Sequence, residues 1–168
     1  MHTSAYNNAK KFYKKYCTHL DSESYILDFG SYDLNGTLKP IFQNHKYIGI
    51  DLSEGPNVNI ACRNDNVPFK DNFFDVIVSS SCFEHDEFFW MSFLEMCRLL
   101  KSNGLIYINA PSSGPYHPHP FDSWRFYEDS WKCLEKWGLK NNFNIKLIES
   151  YIDKDEEWQD SVGIYQKN

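Results

Sequence analysis

The stretch YILDFGSYDLNG, Tyr25 to Gly36, and the later stretch YIGID, Tyr47 to Asp51, determine the fold of this 168-residue chain. Each begins with a short apolar run typical of a buried parallel strand. The first run ends with Asp28 and Gly30, and the second ends with Asp51. Strand ends of this kind meet in a crevice at the carboxyl edge of a parallel sheet, where nucleosides bind. The two stretches therefore predict a nucleoside-binding α/β fold.

The loop after the first strand indicates which nucleoside fits. A dinucleotide fingerprint needs a second glycine two residues after the first, so that the backbone can approach a pyrophosphate. Here Ser31 and Tyr32 follow Gly30, and the chain has no phosphate-cradling loop with its lysine and hydroxyl. S-adenosylmethionine needs close backbone approach at one glycine and a carboxylate for its ribose hydroxyls. Gly30 and Asp51 can supply these two features.

Composition is that of one folded domain, which we expect to span residues 1–168. The chain is 42% hydrophobic and 17% aromatic, which disfavours disorder, and its net charge of −6 disfavours a broad nucleic-acid surface. The only local basic run, Lys10 to Lys15, is typical of a solvated helix face. We therefore expect no nucleic-acid partner.

Five widely spaced cysteines without a C-x-x-C pair disfavour a disulfide framework or a zinc knuckle. The amino-terminal MHTSAYNNAKK lacks the apolar core of a signal peptide, and no apolar run has the length of a membrane-spanning helix. These features predict a cytoplasmic protein without a membrane partner.

Hydrophobic periodicity predicts strands that alternate with helices, and hence a mostly parallel sheet covered on both faces. The predicted strands are 25–29, 46–50, 58–60, 74–79 and 105–110, and the predicted helices are 4–20, 37–43, 86–101 and 128–137. Two further strand-like runs, NIKLIESYI and SVGIYQK, are joined by the charged segment DKDEEWQD. They predict a closing antiparallel pair.

Four segments in order resemble the motifs of class I S-adenosylmethionine-dependent methyltransferases, and within them the type 11 group. The segments are LDFGSYDLNG, YIGID, VPFKDNFFDVIVSSSCFEH and LLKSNGLIYINAP. The resemblance implies a Rossmann-like, doubly wound, seven-stranded and mostly parallel sheet with an antiparallel last strand, in a single methyltransferase domain. It also implies that S-adenosylmethionine is the cofactor and that a methyl group is transferred.

The same resemblance implies which residues contact the cofactor. Asp28 and Gly30 would lie beneath the methionine part with the backbone of Ser31 and Tyr32, Asp51 would bind the ribose, Leu52 would contact the adenine, and Ser80 and Ser81 would line the methionine side. For Asp51, a role as a helix cap or turn residue is the alternative. The family often has an acidic residue where this chain has Arg63. The neighbouring Asn64 and Asp65 remain candidates for the adenine amino group, or parts of a solvated loop.

Glu84 and His85 resemble a glutamate and a histidine of the family that precede the next helix, and capping that helix is an equally good interpretation. The following loop, 111–127, is the predicted acceptor side, because loops at the carboxyl ends of strands carry specificity. His117 or His119 could serve as a base, and Arg125 could bind an anionic acceptor. The alternative is an ordinary loop stiffened by three prolines. The spacing of the histidines does not require a metal, and none is assigned.

The sequence thus favours a methyltransferase that acts by in-line displacement on a small-molecule or sugar-like acceptor. One alternative is a module or partner subunit that binds the cofactor without transferring its methyl group. A nicotinamide-dependent oxidoreductase is disfavoured by Tyr32 and by a chain too short for a second nucleotide half.

Overall fold

A seven-stranded sheet forms the centre of the protein. The computed structural model describes residues 2–154 and 157–168. The strands are β1 Tyr25–Phe29, β2 Lys46–Asp51, β3 Ile60–Ala61, β4 Phe74–Ser80, β5 Leu100–Pro111, β6 Ile145–Ile152 and β7 Asp160–Lys167. Their order is β3-β2-β1-β4-β5-β7-β6, with β1 to β5 parallel and β7 antiparallel to both β5 and β6. The predicted Rossmann-like sheet with an antiparallel last strand is confirmed.

Three α-helices flank this sheet: α1 Thr3–Phe12, α2 Phe89–Leu99 and α3 Glu128–Lys140. A π-helical turn, Tyr13–Cys17, extends α1, so the predicted amino-terminal helix is present with an altered last turn. The predicted helix at 37–43 is wrong, because only a 3₁₀ turn at Lys39–Ile41 forms there. Pro40 lies inside that turn and has no backbone N–H to donate, which limits extension of a helix through it.

The central strands bury side chains on both faces of the sheet. In β4, Ile77 packs in a cluster with residues of α2 and α3, whereas Val76 and Val78 pack in a second cluster with residues of α1. This alternation follows from the two-residue period of a strand. Helices α2 and α3 therefore cover one face, and α1 with the 3₁₀ turn covers the other.

The strand order reverses between β1 and β4, which places a crevice at the carboxyl ends of these strands. Parallel pairing aligns Asp28 of β1 with Gly49 of β2 and with Val78 of β4. The strand ends carrying Gly30, Asp51 and Ser80 consequently meet at one edge of the sheet. Within the described part of the chain, no helix has the length and apolar character needed to cross a membrane.

Candidate functional site

Two adjoining cavities open at the carboxyl edge of the sheet. The larger, of about 540 Å³, contains Asp51, Leu52 and Asn64 in its wall and is called the Asp51 cavity. The smaller, of about 240 Å³, has Asp28, Ser80, Glu84 and His117 in its wall and is called the Glu84 cavity. Both walls share Gly30, Tyr32, Leu34, Ser81, His85 and His119. A ligand could therefore extend from one cavity towards the other.

Gly30 forms the floor where the two cavities meet. Its φ of +82° lies in the left-handed region that favours glycine. A Cβ atom at this position would lie 2.2 Å from Cys82 Sγ. The backbone N–H groups of Gly30 and Ser31 both donate to the Ile50 carbonyl, at 3.0 and 2.9 Å. The turn is thus fixed to β2, and only a residue without a side chain fits at its start.

Asp51 holds the loop after β1 and also faces the larger cavity. One carboxylate oxygen accepts the Tyr32 backbone N–H at 3.1 Å, and the other accepts the Leu52 backbone N–H at 2.7 Å. A carboxylate has about four lone-pair sites, so two bonds leave acceptor capacity free. Because Asp51 lines the Asp51 cavity, it can still accept hydrogen bonds from the hydroxyl groups of a ligand.

Asp28 is a buried carboxyl in the wall of the Glu84 cavity. The Tyr47 hydroxyl and the Asn57 side-chain amide both donate to its Oδ2 atom. Burial raises the pKa of Asp28 to about 7, and the nearby negative charge of Asp51 adds to this rise, although the two hydrogen bonds oppose it. Near neutral pH this carboxyl therefore exchanges between its protonated and ionised forms.

Exposed apolar side chains form the outer wall of the Asp51 cavity. Leu52 is 64% exposed and Leu34 is 59% exposed, and Tyr32 lies beside them. The Tyr32 ring lies directly against Gly55, where a Cβ would lie 2.2 Å from a ring carbon. Apolar walls next to one carboxylate suit a ligand with a flat ring and a hydroxylated group.

The two candidates in the loop after β3 lie in different surroundings. Asn64 lines the Asp51 cavity, and its amide donates to Asp86 at 3.2 Å. Asp65 accepts two hydrogen bonds from the Arg63 guanidinium, at 2.9 and 2.7 Å, and lies outside the walls of both cavities. The fold thus brings Asn64, but not Asp65, to the crevice.

Ser80 and Ser81, at the end of β4, both line the Glu84 cavity. Their hydroxyl oxygens are buried and have no hydrogen-bond partner among the described residues. A buried polar group without a partner costs about 1–3 kcal/mol. The arrangement therefore favours a polar ligand group at this point.

Asp122 fixes the loop after β5. Its buried carboxylate accepts two hydrogen bonds from the Arg125 guanidinium, at 2.6 and 2.9 Å, and one from the His117 backbone N–H at 2.8 Å. The Arg125 hydrogen bonds hold the pKa of Asp122 well below its usual range. Arg125 also donates to the carbonyls of Trp124 and Pro115 and lies outside both cavity walls. The loop thus presents His117 and His119, but not Arg125, to the Glu84 cavity.

Glu84 and His85 do not cap the next helix, because α2 begins at Phe89 and its N-cap residue is Phe88. Asp86 bonds the start of that helix instead, since it accepts the Phe88 backbone N–H at 3.0 Å. Glu84 is 1% exposed, and burial raises its pKa to about 8. Burial also lowers the pKa of His85. Both side chains face the Glu84 cavity.

Sequence reasoning missed two residues of the Glu84 cavity, His2 and Trp158. The His2 ring lies 2.8 Å from Asp160 and stacks on Trp158, and Trp158 contacts the His117 ring edge-to-face with centroids 4.5 Å apart. Trp158 belongs to the segment DKDEEWQD, of which Asp155 and Glu156 lie outside the described residues. A single tryptophan in a charged segment was the one signal in the sequence. Nothing in the sequence pairs either residue with His117.

One protein-family model matches this sequence. The sequence model of the methyltransferase domain matches residues 27–108, which run from β1 into β5. Comparison of the sequence with curated proteins gave no match. The matched range therefore ends within β5, and β6 and β7 lie outside it.

Solved structures resemble the chain over nearly its whole length. One is the 1,6-didemethyltoxoflavin-N1-methyltransferase of Burkholderia thailandensis, solved with 1,6-didemethyltoxoflavin and S-adenosylhomocysteine (TM-score 0.74, 16% identity, 98% of this chain and 78% of that chain). Another is the YcgJ protein of Bacillus subtilis (TM-score 0.67, 14% identity, 96% and 97%). A third is the [4+2]-cyclase SpnF (TM-score 0.69, 12% identity, 97% and 80%). At these identities the similarity establishes the fold alone.

Proposed function

We propose that the chain is a class I S-adenosylmethionine-dependent methyltransferase and that it methylates a small-molecule or sugar-like acceptor. Its cofactor is S-adenosylmethionine. The observation that carries the proposal is the pair of adjoining cavities that meet at Gly30 and His119. The Asp51 cavity suits the nucleoside, and the Glu84 cavity suits the methionine end of the cofactor beside a small polar acceptor.

The residues of the crevice fit this cofactor. Asp51 retains lone pairs for the ribose hydroxyls, and the exposed side chains of Leu52 and Leu34 supply an apolar wall for the adenine. The floor at Gly30 leaves room for close approach, since no side chain intervenes. The unpartnered hydroxyls of Ser80 and Ser81 suit the polar methionine end. We assign the cofactor contacts on these grounds, with Asn64 near the adenine and Asp65 outside the site.

The cofactor supplies a sulfonium methyl group that an acceptor atom attacks in line. The contribution of the chain is to hold both partners in that alignment, and well-oriented reactions gain about 7–11 kcal/mol from positioning. The border between the cavities carries Ser81, His85 and His119, so the reacting atoms belong there. If the acceptor is a hydroxyl, His117 or His119 can take its proton. Arg125 acts as a positioning residue, because its guanidinium holds Asp122.

One alternative is a module or partner subunit that binds the cofactor in this crevice but does not transfer its methyl group. The fold itself is compatible with other chemistry, since the similar protein SpnF is a [4+2]-cyclase. In this chain Arg63 stands where the resemblance would place an acidic residue near the adenine, and it is hydrogen-bonded to Asp65. This substitution is the observation that favours a module without methyl transfer.

Calorimetric titration with S-adenosylhomocysteine and, in parallel, with NADH tests the cofactor. We expect saturable binding of S-adenosylhomocysteine and none of NADH. Incubation with methyl-labelled S-adenosylmethionine and a panel of small hydroxyl, thiol and amine compounds then tests transfer. Binding without label transfer to any acceptor class would favour the non-transferring alternative, and absence of S-adenosylhomocysteine binding would contradict the proposed function.

A further inference from the structure

Three potential metal ligands converge in the Glu84 cavity. One ligand atom from each of Glu84, His85 and His117 lies within 4.8 Å of the other two. The Glu84 Oε1 atom is 3.7 Å from His85 Nε2 and 4.0 Å from His117 Nε2. These distances are too long for direct hydrogen bonds. The three side chains therefore face a common point that none of them occupies.

The second ring nitrogen of each histidine is already engaged. His85 Nδ1 lies 2.5 Å from the Phe121 carbonyl, and His117 Nδ1 lies 3.1 Å from Asp122 Oδ2 and 3.2 Å from the Pro115 carbonyl. Carbonyl and carboxylate oxygens only accept, so each Nδ1 must carry the proton. Each Nε2 then has a free lone pair. This arrangement, with the outer nitrogen bonded to an oxygen, is the usual setting of a metal-binding histidine.

Glu84 adds a buried oxygen without a partner. Its side chain is 1% exposed, and its Oε2 atom has no hydrogen-bond partner among the described residues. The Arg125 guanidinium, whose charge acts on Glu84, is hydrogen-bonded to Asp122 instead. Two imidazole lone pairs and a buried Glu84 oxygen thus lie close together, at separations from Glu84 that are too long for hydrogen bonds. A cation at their common point would be bound by all three groups.

We propose that Glu84, His85 and His117 bind a divalent transition-metal ion of the Zn²⁺ type. Zn²⁺ bonds to nitrogen and oxygen at about 2.0–2.2 Å, so two of its ligand atoms lie roughly 3.3–4.2 Å apart. The two separations from Glu84 Oε1 fall in this range. Imidazole with carboxylate is a donor set that favours such ions over Mg²⁺ or Ca²⁺.

Three protein ligands leave at least one coordination position open, as in catalytic sites. The open position faces a cavity that also contains Ser80, Ser81 and His119. Resting on the proposed function, the ion would bind the oxygen of a hydroxylated acceptor and lower the pKa of that hydroxyl beside the cofactor. The ion site itself stands independently of methyl transfer.

Co²⁺ titration of chelator-treated full-length protein, followed by visible absorption, tests the site without any cofactor. We expect one equivalent to bind with bands typical of nitrogen and oxygen ligands. Glu84→Gln and His117→Ala should each weaken Co²⁺ binding at least about ten-fold. His19→Ala, which removes an exposed histidine elsewhere, and Cys133→Ser, which removes an exposed thiol, should leave binding unchanged.

Near-ultraviolet circular dichroism of each variant shows whether the fold is retained. The substitution at Glu84 keeps side-chain size, and the one at His117 lies in a surface loop, so both folds should persist. No saturable Co²⁺ binding to the wild type would overturn the proposal. Full binding in either ligand variant, or loss of binding in Cys133→Ser, would overturn it as well. Titration with S-adenosylhomocysteine separately decides the proposed function, so either result can fail alone.

Discussion

The Asp51 cavity and the Glu84 cavity are neighbours but are built in different ways. The first is lined mainly by residues at or just after the carboxyl ends of β1, β2 and β4. The second brings together His2, Glu84, His117 and Trp158, which are far apart in the chain. The matched methyltransferase domain, residues 27–108, includes Glu84 but not the other three. The residues that line the Asp51 cavity therefore lie mostly inside the matched range, whereas three of these four residues of the Glu84 cavity lie outside it.

The two cavities also differ in how their polar groups are satisfied. Both carboxylate oxygens of Asp51 accept backbone hydrogen bonds. In the Glu84 cavity, the hydroxyls of Ser80 and Ser81 and one oxygen of Glu84 have no partner within the part of the chain that the structure describes. These unpartnered groups all lie in the wall of the Glu84 cavity, where a polar ligand group would satisfy them.

The largest expected effect comes from placing a side chain on the floor that both cavities share. In Gly30→Ala, the new Cβ would meet Cys82 Sγ, and the positive φ would be strained. We expect the free energy of unfolding to fall by about 2–4 kcal/mol and binding of S-adenosylhomocysteine to disappear. Urea denaturation and calorimetry measure the two effects.

Cys82→Gly in combination with Gly30→Ala provides the control. The Cys82 Cα atom lies 3.9 Å from the position that the added carbon would take, so the double variant relieves the clash and leaves the φ strain. It should lose less stability than the sum of the two single variants. Wild-type affinity and stability in Gly30→Ala would show that the floor is not closely packed.

A second variant should separate the two cavities. Asp122→Ala removes the carboxylate that holds Arg125 and the His117 backbone. We expect a loss of about 1–3 kcal/mol in the free energy of unfolding, because a buried charge network is broken while Arg125 keeps partial contact with water. Affinity for S-adenosylhomocysteine should change by less than about three-fold, since Asp122 lies outside the Asp51 cavity.

Asp129→Ala is the matched control for this loop. Asp129 also pairs with a basic residue three positions away, Lys132, but its side chain is 84% exposed. We expect no measurable change in stability or in cofactor affinity. A loss of cofactor affinity in Asp122→Ala as large as its loss of stability would show that the two cavities do not behave independently.

The last expected effect is a pH dependence that originates at Asp28. Its pKa is about 7 in the fold, against 3.8 when unperturbed, so the folded state retains a proton that the unfolded state has lost. Stability of the cofactor-free protein should therefore fall as pH rises from about 4 to about 7, by on the order of a few kcal/mol at most. Asp28→Asn should reduce this decline in Tm.

Glu87→Gln, which changes an exposed acidic residue, should show the same Tm profile as the wild type. Thermal melts at pH 5 and pH 8 make the comparison. If the decline in Asp28→Asn equals that of the wild type, then Asp28 does not titrate in this range.

The sequence predicted the sheet well because local patterns determine its strands. Apolar runs ending in Asp28 or Asp51 mark strand ends, and one glycine marks the turn. The predicted helix at 37–43 was wrong. Leu38 and Phe42 are apolar and buried, as the pattern predicted, but a single 3₁₀ turn is enough to bury them. The cluster of Glu84 with His117 could not be predicted, because loop conformation alone brings residues 33 positions apart together. The contact of His2 with Trp158 spans almost the entire chain for the same reason.

Calorimetric titration of S-adenosylhomocysteine into the wild type, Asp51→Ala and Asp65→Ala tests most directly whether Asp51 binds the cofactor. Asp65 is the matched carboxylate, since it bonds Arg63 and lies outside the cavity wall. We expect Asp51→Ala to bind at least about 30-fold more weakly, because hydrogen bonds to a charged group contribute about 1.5–3 kcal/mol each. Asp65→Ala should bind like the wild type. Equal affinity in the wild type and Asp51→Ala would contradict the proposed orientation of the cofactor.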